Sequence, residues 1–241
     1  MAIAACGLFA TADAAMAEGL HYSIGLFGAG SESPFDTADP DGIVAPDFSV
    51  EGESFSFGTS GLTYRFIDMA GVTVAARLAP RWVTADPTDV PGLERLKRKT
   101  AIEAGLSASY TFGSFVAEVE ALKDVSDTHD GMAVTAALST SFTLTDRLLI
   151  GARAGATWMD DNLATYSYGV RASEAGGGIA AYQVKASVIP SLGVQASFAL
   201  TDNLSLVSGM QAEFLPKSVT NSPIVKRDTL LSAQLGLRYE F

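Results

Sequence analysis

Few residues in this sequence have both the type and the neighbours to do chemistry. His129 lies in "DVSDTHDG" beside Asp127 and Asp130, and a histidine flanked by carboxylates has the makings of a polarised general base for a surface hydrolase. The same octapeptide also reads as a solvated acidic loop between two strands. That is the reading adopted, because no nucleophile motif, glycine-rich phosphate loop or metal-ligand spacing accompanies it. His21, the other histidine, is expected to make a structural polar contact. "GAGSES" and "EAGGGIA" supply glycine without the strand-to-helix context of a dinucleotide site. The expectation is no catalytic residue, no cofactor and no metal, and hence no enzyme.

The remaining charges are informative through their spacing. In "LLSAQLGLRYEF" every second residue back from Phe241 is apolar: Tyr239, Leu237, Leu235, Ala233 and Leu231. Arg238 and Glu240 fall on the other face. A period of two belongs to a strand whose faces meet different solvents. The same alternation sets Arg77 and Arg81 opposite Val72, Val74, Ala76, Leu78 and Trp82, and sets Glu103, Glu118 and Glu120 opposite apolar positions in the next two runs. Extended to Arg153, Lys185 and Glu213, it gives an inward set of Arg77, Arg81, Arg153, Lys185 and Arg238 against Glu103, Glu118, Glu120, Glu213 and Glu240. Equal numbers of each sign predict mutual pairing, since an unpaired buried ion is costly. A selective pore more often shows an excess of one sign.

These elements need a container. The chain has 241 residues, 48% hydrophobic and 18% charged, with a formal net charge of −11. It is too apolar for disorder, and its acidity excludes a nucleic-acid partner, which needs basic residues to displace counterions. The opening "MAIAACGLFATADAAMAEGL" holds an apolar stretch and a small-x-small site at Ala15-Met16-Ala17, so residues 1–17 are read as an export signal and 18–241 as one domain. Cys6, the one cysteine, falls in the signal. No later segment reaches the ~18 unbroken apolar residues of a membrane helix.

Connection lengths supply the topology. "TLTDRL", "ALTDNL", "TFGSF" and "FIDMAG" are tight turns, whereas residues 31–41, 86–97, 160–181 and 215–228 are long and polar. Short turns at one end and long loops at the other predict a closed antiparallel transmembrane β-barrel with the turns periplasmic. If Gly58 to Gly61 turns the chain, the count is about twelve, and single-chain barrels of this kind have even counts. The acidic surplus at Glu32, Asp36, Asp39, Asp41, Asp127, Asp130, Asp160 and Asp161 is then assigned to solvated loops. The closing Tyr239 and Phe241 look like the carboxy-terminal aromatic signal that outer-membrane proteins present to the barrel assembly machinery.

From Leu148 onward the sequence resembles the MipA/OmpV family of outer-membrane proteins. The resemblance is carried by "TWMDDNLATYSYGV" with Tyr166, Tyr168 and Gly169, by Ala175 and Tyr182, by "LTDNLSL", by "NSPIV" with Ser222 and Pro223, and by "LGLRYEF". Residues 31–50 depart from the pattern, as does Leu163-Ala164, where an aromatic is expected. The resemblance implies a bacterial outer-membrane barrel in contact with lipid and lipopolysaccharide. It further implies a scaffold for a murein hydrolase, a lytic transglycosylase, together with a peptidoglycan synthase. The alternative is a small-solute channel controlled by the long loops after Asp160 and Leu215.

Overall fold

The computed structural model describes residues 19–35, 41–83 and 85–241; the expected export signal with Cys6, and the acidic positions Asp36 and Asp39, lie outside the described residues. Twelve strands follow one another: β1 (His21–Ser31), β2 (Asp41–Glu51), β3 (Phe55–Gly58), β4 (Gly61–Met69), β5 (Val72–Arg81), β6 (Ala101–Phe112), β7 (Phe115–Asp124), β8 (Met132–Thr145), β9 (Leu148–Met159), β10 (Ser187–Ala199), β11 (Leu204–Phe214) and β12 (Thr229–Glu240). Each pairs antiparallel with its sequence neighbours, and β1 closes the barrel on β12 from Ser23↔Glu240 to Ser31↔Ser232. The segment "SFSFGTSGLTYRF" does turn, giving the short hairpin β3–β4 and the expected count of twelve. Closure is what a sheet in hydrocarbon requires, because no water is present to satisfy an open edge.

The alternation read from the sequence becomes the two faces of the wall. Ile24, Leu26, Leu106, Val119, Leu192 and Leu235 stand exposed on the outward register. Aromatic side chains mark both rims of this belt, with Trp82 and Trp158 toward the loops and Phe112, Phe115, Tyr239 and Phe241 toward the turns, as expected for rings that prefer the membrane interfaces. Tyr239 and Phe241 meet edge to face at 5.0 Å, and the Phe241 N–H donates to Tyr22 O across the closing seam. Among the described strand residues, Lys123 is the one charge on the outward register, at the loop end of β7. From there its long stem can carry the ammonium up to the interface.

The strand prolines Pro46, Pro80 and Pro190 each lie beyond the last pairing on one side of their strand. Pro46 in β2 lies opposite Leu26 of β1. The Leu26 carbonyl is turned toward β12, where a Cβ on Gly236 would meet it. The Pro46 nitrogen therefore faces away from β1. Pro80 in β5 lies opposite Ile102, whose N–H and carbonyl are engaged by Ser126 and Val125 on the far side. The Pro80 nitrogen therefore faces the β4 side. Both prolines sit beyond the last β3 or β4 residue paired with their strand, so neither deletes a ladder bond.

At Gly105 in β6 a Cβ would overlap the backbone carbonyl of Ala121 in β7, whereas at Gly193 in β10 it would make ordinary contact, 3.5 Å from Met210 O. Gly105→Ala should therefore lower the urea unfolding midpoint of the detergent-folded barrel by the equivalent of about 1–3 kcal/mol, the cost of overpacking. Gly193→Ala should leave it nearly unchanged. Heat-modifiable electrophoretic mobility reports the folded fraction in each case.

Candidate functional site in the lumen and loop cap

Four arginines of the inward register meet carboxylates, Arg81 on the adjacent strand and Arg77, Arg153 and Arg238 on the next strand but one. Arg77 Nε lies 3.0 Å from Glu120, Arg81 Nε 2.7 Å from Glu103, Arg153 Nη1 2.9 Å from Glu118, and Arg238 Nη2 3.4 Å from Asp47. The pairs differ in solvation. Glu103 retains 2% side-chain exposure, while Glu118 retains 33%. The other inward positions behave differently. Glu213 accepts from Gln211 Nε2 at 3.1 Å, and Glu240 stands exposed at the turn end of β12. Lys185 corrects the sequence expectation: β10 begins at Ser187, so Lys185 lies in the preceding loop and is exposed. Alternation carried past a strand end places residues on faces that no longer exist. Asp47, the partner of Arg238, was missed because β2 falls in the stretch with the weakest pattern.

The loop around His129 keeps Asp127 and Asp130 exposed, as expected of an acidic loop, but it is not free and His129 itself is buried. The Asp124 carboxylate, at the end of β7, accepts from the backbone N–H groups of Ser126, Thr128, His129 and Asp130 and from the Ser126 hydroxyl, at 2.6 to 3.0 Å. This single side chain folds "DVSDTHDG" into a closed turn and drives the His129 ring inward, where its side chain is fully buried. His129 Nδ1 accepts from the Gly131 N–H at 3.0 Å, which puts the neutral ring's proton on Nε2, 3.3 Å from Glu103 Oε1. Sealed in this way, His129 ties the turn to the Arg81–Glu103 pair. His21 opens β1 and is exposed.

Above the lumen the long loops pack on one another. Asp160 is bound, not solvated: its carboxylate caps the helix α1 (Asp161–Tyr168) through the Leu163 N–H at 2.9 Å and accepts from the Met132 N–H at 3.0 Å. Helix α1 places Tyr166 between three partners. Arg98 and Arg171 lie 5.1 and 4.9 Å from its ring centre, and the His129 ring is at 5.6 Å. Its hydroxyl bonds Lys99 through both N–H and carbonyl. Arg98, nearly buried, is held by Glu174 at 2.8 Å and by Gly169 O. Beside this polar node runs an apolar cluster that includes Phe35, Leu93, Leu96, Tyr168, Val184 and Val219, drawn from four loops. Burial pushes the Tyr168 hydroxyl pKa well above its ordinary value.

The remaining motif residues also belong to this cap. Gly169 sits where a Cβ would press on Tyr182 O and Thr165 O. The Tyr182 hydroxyl donates to Ser218 O at 3.1 Å. Ser222 is buried, and Pro223 is exposed beside it. Leu163-Ala164, where an aromatic was expected, is fully buried on the inner face of α1, where the close packing accommodates small and aliphatic side chains.

Removing one partner from a buried ion pair costs about 3–5 kcal/mol, whereas a solvated pair is worth about 0–1 kcal/mol. Glu103→Gln should accordingly lower the urea midpoint strongly, and Glu118→Gln should move it little. Equal effects from the two substitutions would contradict this gradient of burial along the lumen.

Comparison with known proteins agrees with this architecture. The putative outer membrane protein YiaT of Escherichia coli K12 is 25% identical over 97% of this chain and 96% of its own length. The MltA-interacting protein of the same strain is 27% identical over 96% and 94%, and the outer membrane protein Omp26La of Vibrio anguillarum is 25% identical over 75% and 71%. With relatives of this kind and a closed barrel belted by apolar residues, the protein resides in the bacterial outer membrane. A sequence profile of the family described as MltA-interacting protein MipA matches residues 24–241, and the chain belongs to that family.

Proposed function

We propose that this protein is a non-enzymatic interaction protein of the outer membrane whose periplasmic turns dock peptidoglycan-remodelling enzymes. The observation that carries the reading is the filled interior, with four arginine–carboxylate pairs in the lumen and an apolar cluster among the loops above it. A barrel filled this way offers surfaces more readily than a wide path. The periplasmic surface consists of short turns that carry Ser114, Asp146, Arg147 and Asp202. A relative sharing 27% identity is named for its interaction with MltA. The inferred partner here is likewise a murein hydrolase of the lytic transglycosylase class, with a peptidoglycan synthase in the same assembly. Lipopolysaccharide around the belt, and the barrel assembly machinery acting on the Tyr239–Phe241 end, complete the inferred contacts.

Photo-cross-linking residues at Ser114, Asp146 and Asp202 in intact cells should capture a lytic transglycosylase, and one at Gly177 in the loop cap should not. Capture from none of the three turns would remove the scaffold reading. A second reading, a small-solute channel, is favoured by the solvent that reaches the Arg77–Glu120 and Arg153–Glu118 pairs, whose side chains are 21% to 33% exposed. In planar bilayers the scaffold reading expects silent insertions. Discrete openings in most insertions, with ion selectivity shifted by Glu118→Gln, would establish the channel instead.

A further inference from the structure

We infer that the barrel wall carries a lateral window in its loop-side half, and that the acyl chain of an outer-leaflet amphiphile enters it. The opening follows from strand pairing. The hairpin β3–β4 rises from the periplasmic side and turns back at residues 59 and 60, short of the loop end. On its β3 side, β2 is paired only through Ser49, Val50 and Glu51, although it continues to Asp41. On its β4 side, β5 is paired only as far as Leu78, although it continues to Arg81. Above the hairpin tip the strands β2 and β5 therefore face each other with two strands missing, about 14 Å apart at three strand spacings. The free margin runs for about 23 Å along β2 and about 10 Å along β5 at about 3.3 Å per residue.

The frame of the window is fixed. Its sill is latched where the Thr59 N–H donates to Phe48 O at 3.3 Å and the Thr59 hydroxyl donates to the Asp47 carboxylate. Its upper edge is bounded by the cap, where Phe35 shares a cluster with Val90, Leu93 and Leu96. Its two sides each present a proline, Pro46 and Pro80, with the nitrogen turned to the gap. A proline there cannot donate to an added strand, so the margins resist zipping shut.

The chemistry of the rim selects the occupant. Val44 (69% exposed), Leu78 and Trp82 flank the gap on the outward register, so it opens into the acyl-chain layer below the aromatic rim. Among the described residues, the backbone of Gly42 and Val44 and the Pro46 carbonyl face the gap without a strand partner. Directly inside stand Asp47 and Arg238, and Arg238 Nε is buried with no hydrogen-bond acceptor among the described residues. A hydrocarbon alone would leave these polar groups unmet. A chain lying against Val44, Pro46 and Pro80, whose polar end supplies oxygen acceptors to Arg238 and to the rim N–H groups, meets both demands.

The test places tryptophan on either side of the β2 margin in the full chain carrying Trp82→Phe and Trp158→Phe, folded into vesicles of phosphatidylcholine with brominated acyl chains. Val44→Trp on the outward face sets the quenching of a lipid-exposed ring, and Gln195→Trp on the inward face of β10 sets that of a sealed position. Ala45→Trp and Ile43→Trp, both inward at the window, should be quenched to an extent nearer Val44→Trp. The more strongly quenched variant that shows heat-modifiable folding decides; a value nearer Gln195→Trp overturns the window. Cross-linking and conductance do not enter this readout, so its failure is separable from that of the scaffold reading.

Discussion

The controlling constraint is that a peptide group in hydrocarbon has nothing to bond except another peptide group. Once the wall is a sheet it must close, and once it closes the alternation of side chains separates lipid from lumen at every strand. Local features follow from the same demand. Gly105 is bare because β6 and β7 approach too closely there for a Cβ. Strand prolines Pro46 and Pro80 lie beyond the reach of the ladder, where a missing N–H costs nothing.

The interior answers a second demand, since charges drawn into a narrow lumen must find partners. Arg81 does so on the adjacent strand and Arg77, Arg153 and Arg238 by reaching over one strand, and the deepest pair is also the most connected. Glu103 accepts from Arg81 and faces His129. His129 in turn rests on Tyr166 of the α1 helix, itself stacked with Arg98 and Arg171. Lumen and loop cap are thus one packed unit, linked through His129.

Wall and lumen differ in how far the sequence reveals them. Alternation over Val72–Arg81, Ala101–Phe112 and Thr229–Glu240 is long and regular, so it fixed the inward faces of Arg77, Arg81, Glu103 and Arg238. Lys185 failed because periodicity does not announce where a strand begins. The Asp124 turn was invisible because a carboxylate that gathers four backbone N–H groups has the same composition as a solvated acidic loop; only its non-glycine left-handed residues, Asp127 and Asp130, betray it, and those are conformations. Asp47 was missed because its strand carries glycine and proline in place of a clean apolar stripe. The cap motifs were visible as words before their grammar was: "TYSYGV" and "NSPIV" are far apart in the chain and meet only in three dimensions.

The meeting of four loops in one apolar cluster has an immunological consequence. Phe35, Leu93, Tyr168 and Val219 come from separate connections yet share a core, so the face turned to the outside world is a composite epitope, assembled from segments that no linear peptide reproduces. An antibody or phage fibre that grips this face reads the folded cap as a whole. The glycine run at 176–178 holds three successive positive-φ residues, a turn that other side chains would strain.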